Sequence, residues 1–151
     1  MAELHTNNET QRAIGALLGS AVGDALGAPF EFGPAGQFTE SFPVSALGPD
    51  TEMIGGGSFG WARGEFTDDT QMAVLQARSL LATGGVDGAD PFERFREWER
   101  TASDVGNQTR AALRSGRAWD AAARDYFARH PKNSAGNGGV MRATPSAVYF
   151  D

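Results

Sequence analysis

Apolar side chains between Glu9 and Leu26 recur at the spacing of one helix face, and this periodicity strongly constrains the fold. Glycine also recurs at every fourth position of the same stretch, at Gly15, Gly19, Gly23 and Gly27. Each glycine costs a helix about 1 kcal/mol relative to alanine, so we expect another group to approach this stripe closely. Two interpretations stay open. Either a second helix packs on the stripe, or the helix end that carries Asp24 lies beside a ligand.

Helical spacing predicts further helices along the chain. One runs from Asp68 to about Ala82, and another begins with Asp90 as N-cap and Pro91 as the first helical residue. In the latter, we expect Phe92, Phe95, Trp98 and Ala102 to face the core. Three shorter helices follow, through Leu113, over residues 118–128 and over residues 143–148. Within 118–128 we expect inward-facing Trp119, Ala122, Ala123, Tyr126 and Phe127.

Between the first two helices, glycine and proline end the periodicity at Gly27 to Pro34. Glu31 lies here between Phe30 and Phe32, and is either an ordinary exposed carboxylate or a group that moves in and out of a site. The stretch that follows, as far as Trp61, has no sustained pattern. It predicts a long loop, of the kind that often covers an active site.

Thr67, Asp68 and Asp69 stand at the start of the helix that runs to Ala82. A threonine N-cap followed by acidic residues in the first turn suits the helix dipole. This explanation is sufficient for one of the two aspartates. Successive first-turn side chains diverge by about 100°, so the triplet can also present oxygen ligands around one point. Mg²⁺ and Mn²⁺ prefer such ligands, and helix capping and metal binding both stay open.

A Gly-rich segment runs from Asn133 to Arg142 and leads into the last predicted helix. Its backbone N–H groups suit a phosphate or diphosphate, although the same sequence also forms ordinary turns. No strand pattern precedes it, so it is neither a Walker loop nor a dinucleotide-binding fingerprint. His5 and His130 lie in the N-terminal tail and at a helix end, which argues against a catalytic histidine.

Charge and composition exclude several classes of function. The formal net charge is −6, without a Lys/Arg block, so we expect no nucleic-acid partner, and an anionic ligand would need a metal or backbone N–H groups. The chain has no cysteine, which excludes disulfides, thiol catalysis and cysteine-ligated zinc. We see neither a signal-peptide pattern nor an apolar run approaching a membrane span, and expect a soluble, cytoplasmic protein.

Three stretches in this order resemble the ADP-ribosylglycohydrolase family, namely residues 15–31, 64–72 and 136–142. They read GALLGSAVGDALGAPFE, GEFTDDTQM and GNGGVMR. The resemblance extends from Gln11 to Tyr149. It implies an all-α fold, an orthogonal helical bundle, with residues 9–151 as the N-terminal part of one domain. Because residues 1–8 are polar and terminal, we expect them to form a disordered tail.

The resemblance also implies a site with two Mg²⁺ or Mn²⁺ ions that hydrolyses the bond between ADP-ribose and an acceptor. The metal ligands would be Thr67, Asp68 and Asp69, and the catalytic residues Glu31, Asp68 and Asp69. Glu31 would lie in a flap over the ribose. The diphosphate and ribose would be held by Ser134, Ala135, Gly136, Asn137, Gly138 and Gly139.

Members of this family are longer, and carry a second acidic motif of the Asp-x-Asp-Thr type that is absent here. We therefore expect an N-terminal half, active only with a complementary C-terminal chain or fragment, and exposed apolar faces that need such a partner. A non-catalytic ADP-ribose binder, a structural relative and a metal-dependent hydrolase with another substrate are the alternatives. The acceptor is left open.

Overall fold

The computed structural model describes residues 8–43 and 53–151, and within these residues the regular secondary structure is helical, without strands. This confirms the all-α prediction. The helices are α1 (Asn8–Gly27), α2 (Gln37–Ser41), α3 (Asp68–Thr83), α4 (Ala89–Glu99), α5 (Asn107–Leu113), α6 (Trp119–Arg129) and α7 (Thr144–Phe150). Residues 1–7 of the expected tail lie outside the described residues, and Asn8 is already helical. The chain divides after Thr67 into two compact units.

In the first unit, α1 continues directly into a 3-10 turn, Ala28–Phe30. The Phe30 ring then contacts Phe38 edge-to-face at 5.2 Å between centroids, and Phe42 at 6.2 Å. These contacts hold the five residues of α2 against the turn. The sequence analysis did not predict α2. Part of the expected long loop, residues 44–52, lies outside the described residues.

The segment that precedes α3 folds back on the 3-10 turn. Gly56 and Trp61 exchange two backbone hydrogen bonds, of 2.7 and 2.8 Å, which close a tight loop. Within that loop Gly57 has φ +70°, and a Cβ there would lie 2.7 Å from Pro29 Cα. Only glycine fits this backbone conformation and this close approach. The loop is thereby fixed beside the end of the 3-10 turn.

Much of α1 is exposed, including Ile14, Leu18 and Val22. A Cβ built on any glycine of its stripe would have no other atom within 4 Å, so the described residues do not supply the close neighbour that the stripe predicts. By length and composition, Asn8–Phe30 is apolar enough to cross a membrane, which corrects the expectation from the sequence. The core helix of a soluble protein can be equally long and apolar, so length and composition alone do not distinguish a membrane-spanning helix from a core helix.

In the second unit, α3 packs on α4 and α7, while α5 joins α4 to α6. Its core contains Met72, Phe95 and Leu113, with Leu75, Phe92, Trp98 and Met141 packed around them. Polar links fix the helices in register. Trp98 Nε1 donates to Gln71 Oε1 at 2.6 Å, and Gln76 Nε2 donates to Ser146 Oγ at the same distance.

The start of α4 differs from the prediction. Asp87, rather than Asp90, caps this helix: its Oδ1 accepts the N–H groups of Ala89 at 2.7 Å and Asp90 at 3.3 Å. Asp90 lies inside the helix and pairs with Arg94 at 2.6 Å. Its carboxylate is therefore used for an i,i+4 ion pair, and the cap moves three residues upstream.

The predicted inner face of α6 is wrong in part. Ala122 is 1% exposed, but Trp119 is 50% and Phe127 59% exposed, and Ala123 is exposed as well. The Trp119 ring covers Gly88, where a Cβ would lie 2.5 Å from its Cε3 atom. Trp119 is large and apolar, but it packs on the loop before α4 and not in the core.

Candidate metal and ligand site

Asp24 and Thr67 are separated by 43 residues and form a two-point contact in the first unit. The Thr67 N–H donates to Asp24 Oδ2 at 2.9 Å, and its hydroxyl donates to Oδ1 at 2.8 Å. Thr67 is 2% exposed. One carboxylate thus fixes both the backbone and the side chain of this threonine.

This contact suits a metal ligand. A hydroxyl that donates its proton to a carboxylate directs its oxygen lone pairs away from that carboxylate, as a hydroxyl ligand of a hard cation must. The sequence predicted a helix cap at Thr67. Since α3 begins with the next residue, Thr67 does stand at the cap position, and its hydroxyl proton goes to Asp24.

Asp68 and Asp69 form the first turn of α3 in the second unit. Asp68 is 8% exposed and lies one helical turn before Met72, which is fully buried, so its side chain is on the core face of the helix. Asp69 is half-buried. A carboxylate as buried as Asp68 requires a compensating charge or hydrogen bonds.

The oxygen ligands of the triplet match Mg²⁺ and Mn²⁺ in kind, but they do not make a full ligand set. In residues 8–43 and 53–151, no three His, Asp or Glu side chains are grouped so as to hold a metal ion. A binuclear site would therefore need carboxylates from elsewhere.

Glu31 directly follows the 3-10 turn of the first unit and is exposed. Phe32 beside it has φ +64°, a conformation that only glycine adopts readily, and its side chain is 74% exposed. The Phe32 ring lies 6.1 Å from that of Phe59, which in turn lies 5.4 Å from Trp61. Backbone strain beside a predicted catalytic residue is the pattern found at functional sites.

The Gly-rich segment forms a second 3-10 turn, Asn137–Gly139, in the second unit. Gly136 N donates to Gln108 Oε1 at 3.2 Å, and a Cβ at Gly138 would lie 3.3 Å from Thr109 Oγ1. These contacts hold the turn against α5. Of the predicted ligand-binding residues, Ser134 and Gly138 are half-buried and Ala135, Gly136, Asn137 and Gly139 are exposed.

The sequence analysis quoted Arg142 in a motif but gave it no role. Its Cζ lies 5.0 Å from the ring centroid of Phe95. Burial lowers the pKa of the Arg142 guanidinium below its ordinary value, and the negative charge of Asp68 offsets part of this shift. Its position at the end of the GNGGVMR motif was the signal that could have drawn attention to it.

Comparison with known proteins agrees with the resemblance. The sequence model of the ADP-ribosylglycohydrolase family matches residues 5–151. An ADP-ribosyl-[dinitrogen reductase] glycohydrolase of Rhodospirillum rubrum is 39% identical over 138 residues, which cover 91% of this chain and 44% of the relative. The ADP-ribosylarginine hydrolase Tri1 of Pseudomonas putida is 35% identical, with 91% of this chain and 36% of the relative covered.

A solved structure described as an ADP-ribosylglycohydrolase-related protein complex matches with a TM-score of 0.60 and 34% identity. The match covers 91% of this chain and 42% of that one. The chain thus spans less than half the length of these relatives. Because the family model covers nearly every residue, the chain belongs to the ADP-ribosylglycohydrolase family.

Proposed function

We propose that this chain supplies part of the active site of a metal-dependent hydrolase that cleaves the glycosidic bond between ADP-ribose and an acceptor. The observation that carries the proposal is the two-point contact from Asp24 to Thr67, immediately before Asp68 and Asp69, in a member of this family. Helix capping does not need a half-buried carboxylate to orient the residue before the helix.

Thr67, Asp68 and Asp69 would hold the metal ions, with further carboxylates from sequence outside the 151 residues. Two Mg²⁺ or Mn²⁺ ions, when bound, would supply a polarised water and contacts for the ribose hydroxyls. Asp24 would keep the Thr67 oxygen aimed at the ions. The acidic chain, with a net charge of −6, would then carry local positive charge where a diphosphate binds.

Glu31 would accept a proton from the attacking water or donate one to the leaving acceptor. Its place after the 3-10 turn, beside strained Phe32, supports a role that needs a defined loop conformation. The Asn137–Gly139 turn, together with Ser134, Ala135 and Gly136, would hold the diphosphate and ribose.

The remaining ligands would come from a further segment of the same polypeptide or from a separate chain. The relatives are more than twice as long as the matched region, and the glycine stripe of α1 has no close neighbour among the described residues. Both facts support such a complement. We further propose that the protein acts in the cytoplasm.

The acceptor can be identified by direct assay. One relative is named for dinitrogen reductase and another for ADP-ribosylarginine, so arginine-linked ADP-ribose is the first substrate to test. Serine-linked ADP-ribose and O-acetyl-ADP-ribose are the comparisons. We expect release of ADP-ribose from at least one of them by the complete assembly with Mn²⁺ or Mg²⁺, and none after removal of the metal with EDTA.

A second candidate is a non-catalytic ADP-ribose binder. The absence of a three-carboxylate group within residues 8–43 and 53–151 favours it. The same assay separates the two functions. An assembly that binds ADP-ribose but releases none from any conjugate, in either metal, would be a binder and would contradict the proposed hydrolase.

A further inference from the structure

Arg142 is the last residue of the Gly-rich segment, two residues before α7, and its guanidinium lies over a ring of the core. Its Cζ is 5.0 Å from the centroid of Phe95, which is 6% exposed. The face of an aromatic ring attracts a cation. A guanidinium held over a ring can still donate its N–H groups to other acceptors.

The same guanidinium borders the Asn137–Gly139 turn. A Cβ at Gly138 would lie 3.7 Å from Arg142 Nη1 and 3.3 Å from Thr109 Oγ1. Arg142 is therefore in van der Waals reach of the turn that the sequence associates with a diphosphate.

The donors of Arg142 are not used by the described chain. Its guanidinium has neither a hydrogen bond nor an ion pair to any residue within 8–43 and 53–151, whereas Arg114 pairs with Glu99 at 2.7 Å and Arg94 with Asp90 at 2.6 Å. A half-buried guanidinium carries five N–H donors, and leaving them without acceptors is unfavourable.

The neighbouring charges indicate what kind of ligand fits. Asp68 is the carboxylate whose charge acts on Arg142, and Asp68 is also a proposed metal ligand. Divalent cations at Asp68 would repel the guanidinium, so the bound state needs a further negative group close by. A phosphate provides that charge, and its oxygens match the fork of an arginine.

We propose that Arg142 is a substrate-binding residue whose guanidinium donates hydrogen bonds to a phosphate oxygen of a ligand held at the Asn137–Gly139 turn. This inference rests on the proposed function, in which that ligand is ADP-ribose. Stacking on Phe95 restrains the guanidinium before the ligand arrives, which lowers the entropy lost on binding.

The test compares Arg142→Met and Arg142→Lys with the unsubstituted protein, in the complete assembly with Mn²⁺. Calorimetric titrations with ADP-ribose and with inorganic pyrophosphate measure both affinities, and a separate titration measures Mn²⁺. We expect Arg142→Met to weaken ADP-ribose and pyrophosphate binding by about 10- to 100-fold, the value of charge-assisted hydrogen bonds. Arg142→Lys should lose less, because it keeps the charge but not the fork.

Arg124→Met is the matched control. It removes the same charge from α6, where Arg124 pairs with Asp120 at 2.6 Å, and should leave both affinities unchanged. If Arg142→Met does not fold, as judged by circular dichroism, Arg142→Lys decides the question, and an unchanged affinity in that variant overturns the inference.

The other outcomes are equally definite. Unchanged affinity for both anions in Arg142→Met overturns the inference, and so does a loss of Mn²⁺ affinity that accounts for the weaker binding. If the unsubstituted protein binds pyrophosphate but not ADP-ribose, the proposed function fails while pyrophosphate still tests Arg142. If it binds neither, both proposals fail.

Discussion

Asp24 anchors Thr67 through a backbone and a hydroxyl hydrogen bond, so any effect of Asp24 on the proposed metal centre would pass through Thr67. We expect Asp24→Asn to reduce Mn²⁺ affinity by about 10- to 100-fold, the usual effect of losing a partner that orients a metal ligand. The amide keeps the shape of the side chain but cannot accept both hydrogen bonds. Titration of the complete assembly with Mn²⁺ measures the change.

Asp87→Asn is the control for that experiment. It makes the same chemical change at the cap of α4, where one oxygen accepts both N–H groups and asparagine caps about as well, so it should leave both stability and Mn²⁺ affinity nearly as they were. Equal Mn²⁺ affinity in Asp24→Asn and in the unsubstituted protein would show that the contact with Thr67 does not serve a metal.

Asp90 predicts a pH dependence of stability. Hydrogen bonds from Arg94 and, secondarily, Ser79 lower the pKa of Asp90 below its ordinary value of 3.8. Its contribution is therefore present above the unfolded pKa and is lost as the pH falls through the lower, folded pKa. Asp90→Asn should shift the urea midpoint downward at neutral pH, with the difference from the unsubstituted protein closing below about pH 4. A difference that persists undiminished in acid would contradict this account.

At the scale of elements, the loop before α3 is held on the 3-10 turn by Gly57, and Gly60 offers a matched comparison. Both have φ +70°, but a Cβ at Gly57 would overlap Pro29 while one at Gly60 would have no other atom within 4 Å. We expect Gly60→Ala to cost about 1–2 kcal/mol of unfolding free energy, from the left-handed conformation alone. Gly57→Ala should cost about 1–3 kcal/mol more, because its methyl meets backbone. Equal losses in urea unfolding would show that the close approach to Pro29 is absent in solution.

The glycine stripe of α1 allows a prediction of opposite sign. Alanine at Gly15 and Gly19 should raise the stability of the isolated chain by about 0.5–1 kcal/mol each, since nothing opposes the methyl groups. If a complement packs closely on the stripe, the same changes should weaken association. Thermal unfolding and analytical ultracentrifugation measure the two effects. Gly85→Ala, outside α1, should leave association unchanged, and so would the stripe variants if no partner packs there.

The longer helices were predictable because each carries a face with a regular apolar period, even where the described residues leave that face exposed, as in α1. The Glu9–Leu26 pattern became α1, Asn8–Gly27, and the Asp68–Ala82 pattern became α3, Asp68–Thr83. The five-residue α2 was missed, because it is too short for periodicity and depends on contacts between Phe30, Phe38 and Phe42. Local pattern also cannot show that Trp119 packs on Gly88.

The candidate site was only partly predictable, for the same reason. Thr67, Asp68 and Asp69 are adjacent, so their spacing allowed either helix capping or a shared metal, and the family resemblance favoured the metal. The contact between Asp24 and Thr67 joins residues 43 positions apart, and the stacking of Arg142 on Phe95 depends on how separate helices pack. Neither contact has a signature in the local sequence.

At the scale of the whole molecule, the matched region is less than half of each relative, and no three His, Asp or Glu side chains within residues 8–43 and 53–151 are grouped so as to hold a metal ion. The exposed side chains Ile14, Leu18 and Val22 on α1 form an apolar surface of the kind that proteins bury against a partner. We therefore expect activity and tight metal binding to appear together, in the assembly that contains the remaining carboxylates.

Anomalous diffraction from Mn²⁺-soaked crystals of the complete assembly tests the metal centre most directly. We predict two Mn²⁺ peaks beside the oxygens of Thr67, Asp68 and Asp69, at about 2.0–2.2 Å from their ligand atoms. An assembly whose Asp68 and Asp69 face solvent, with no anomalous peak beside them, would contradict the proposal that these residues bind metal for hydrolysis.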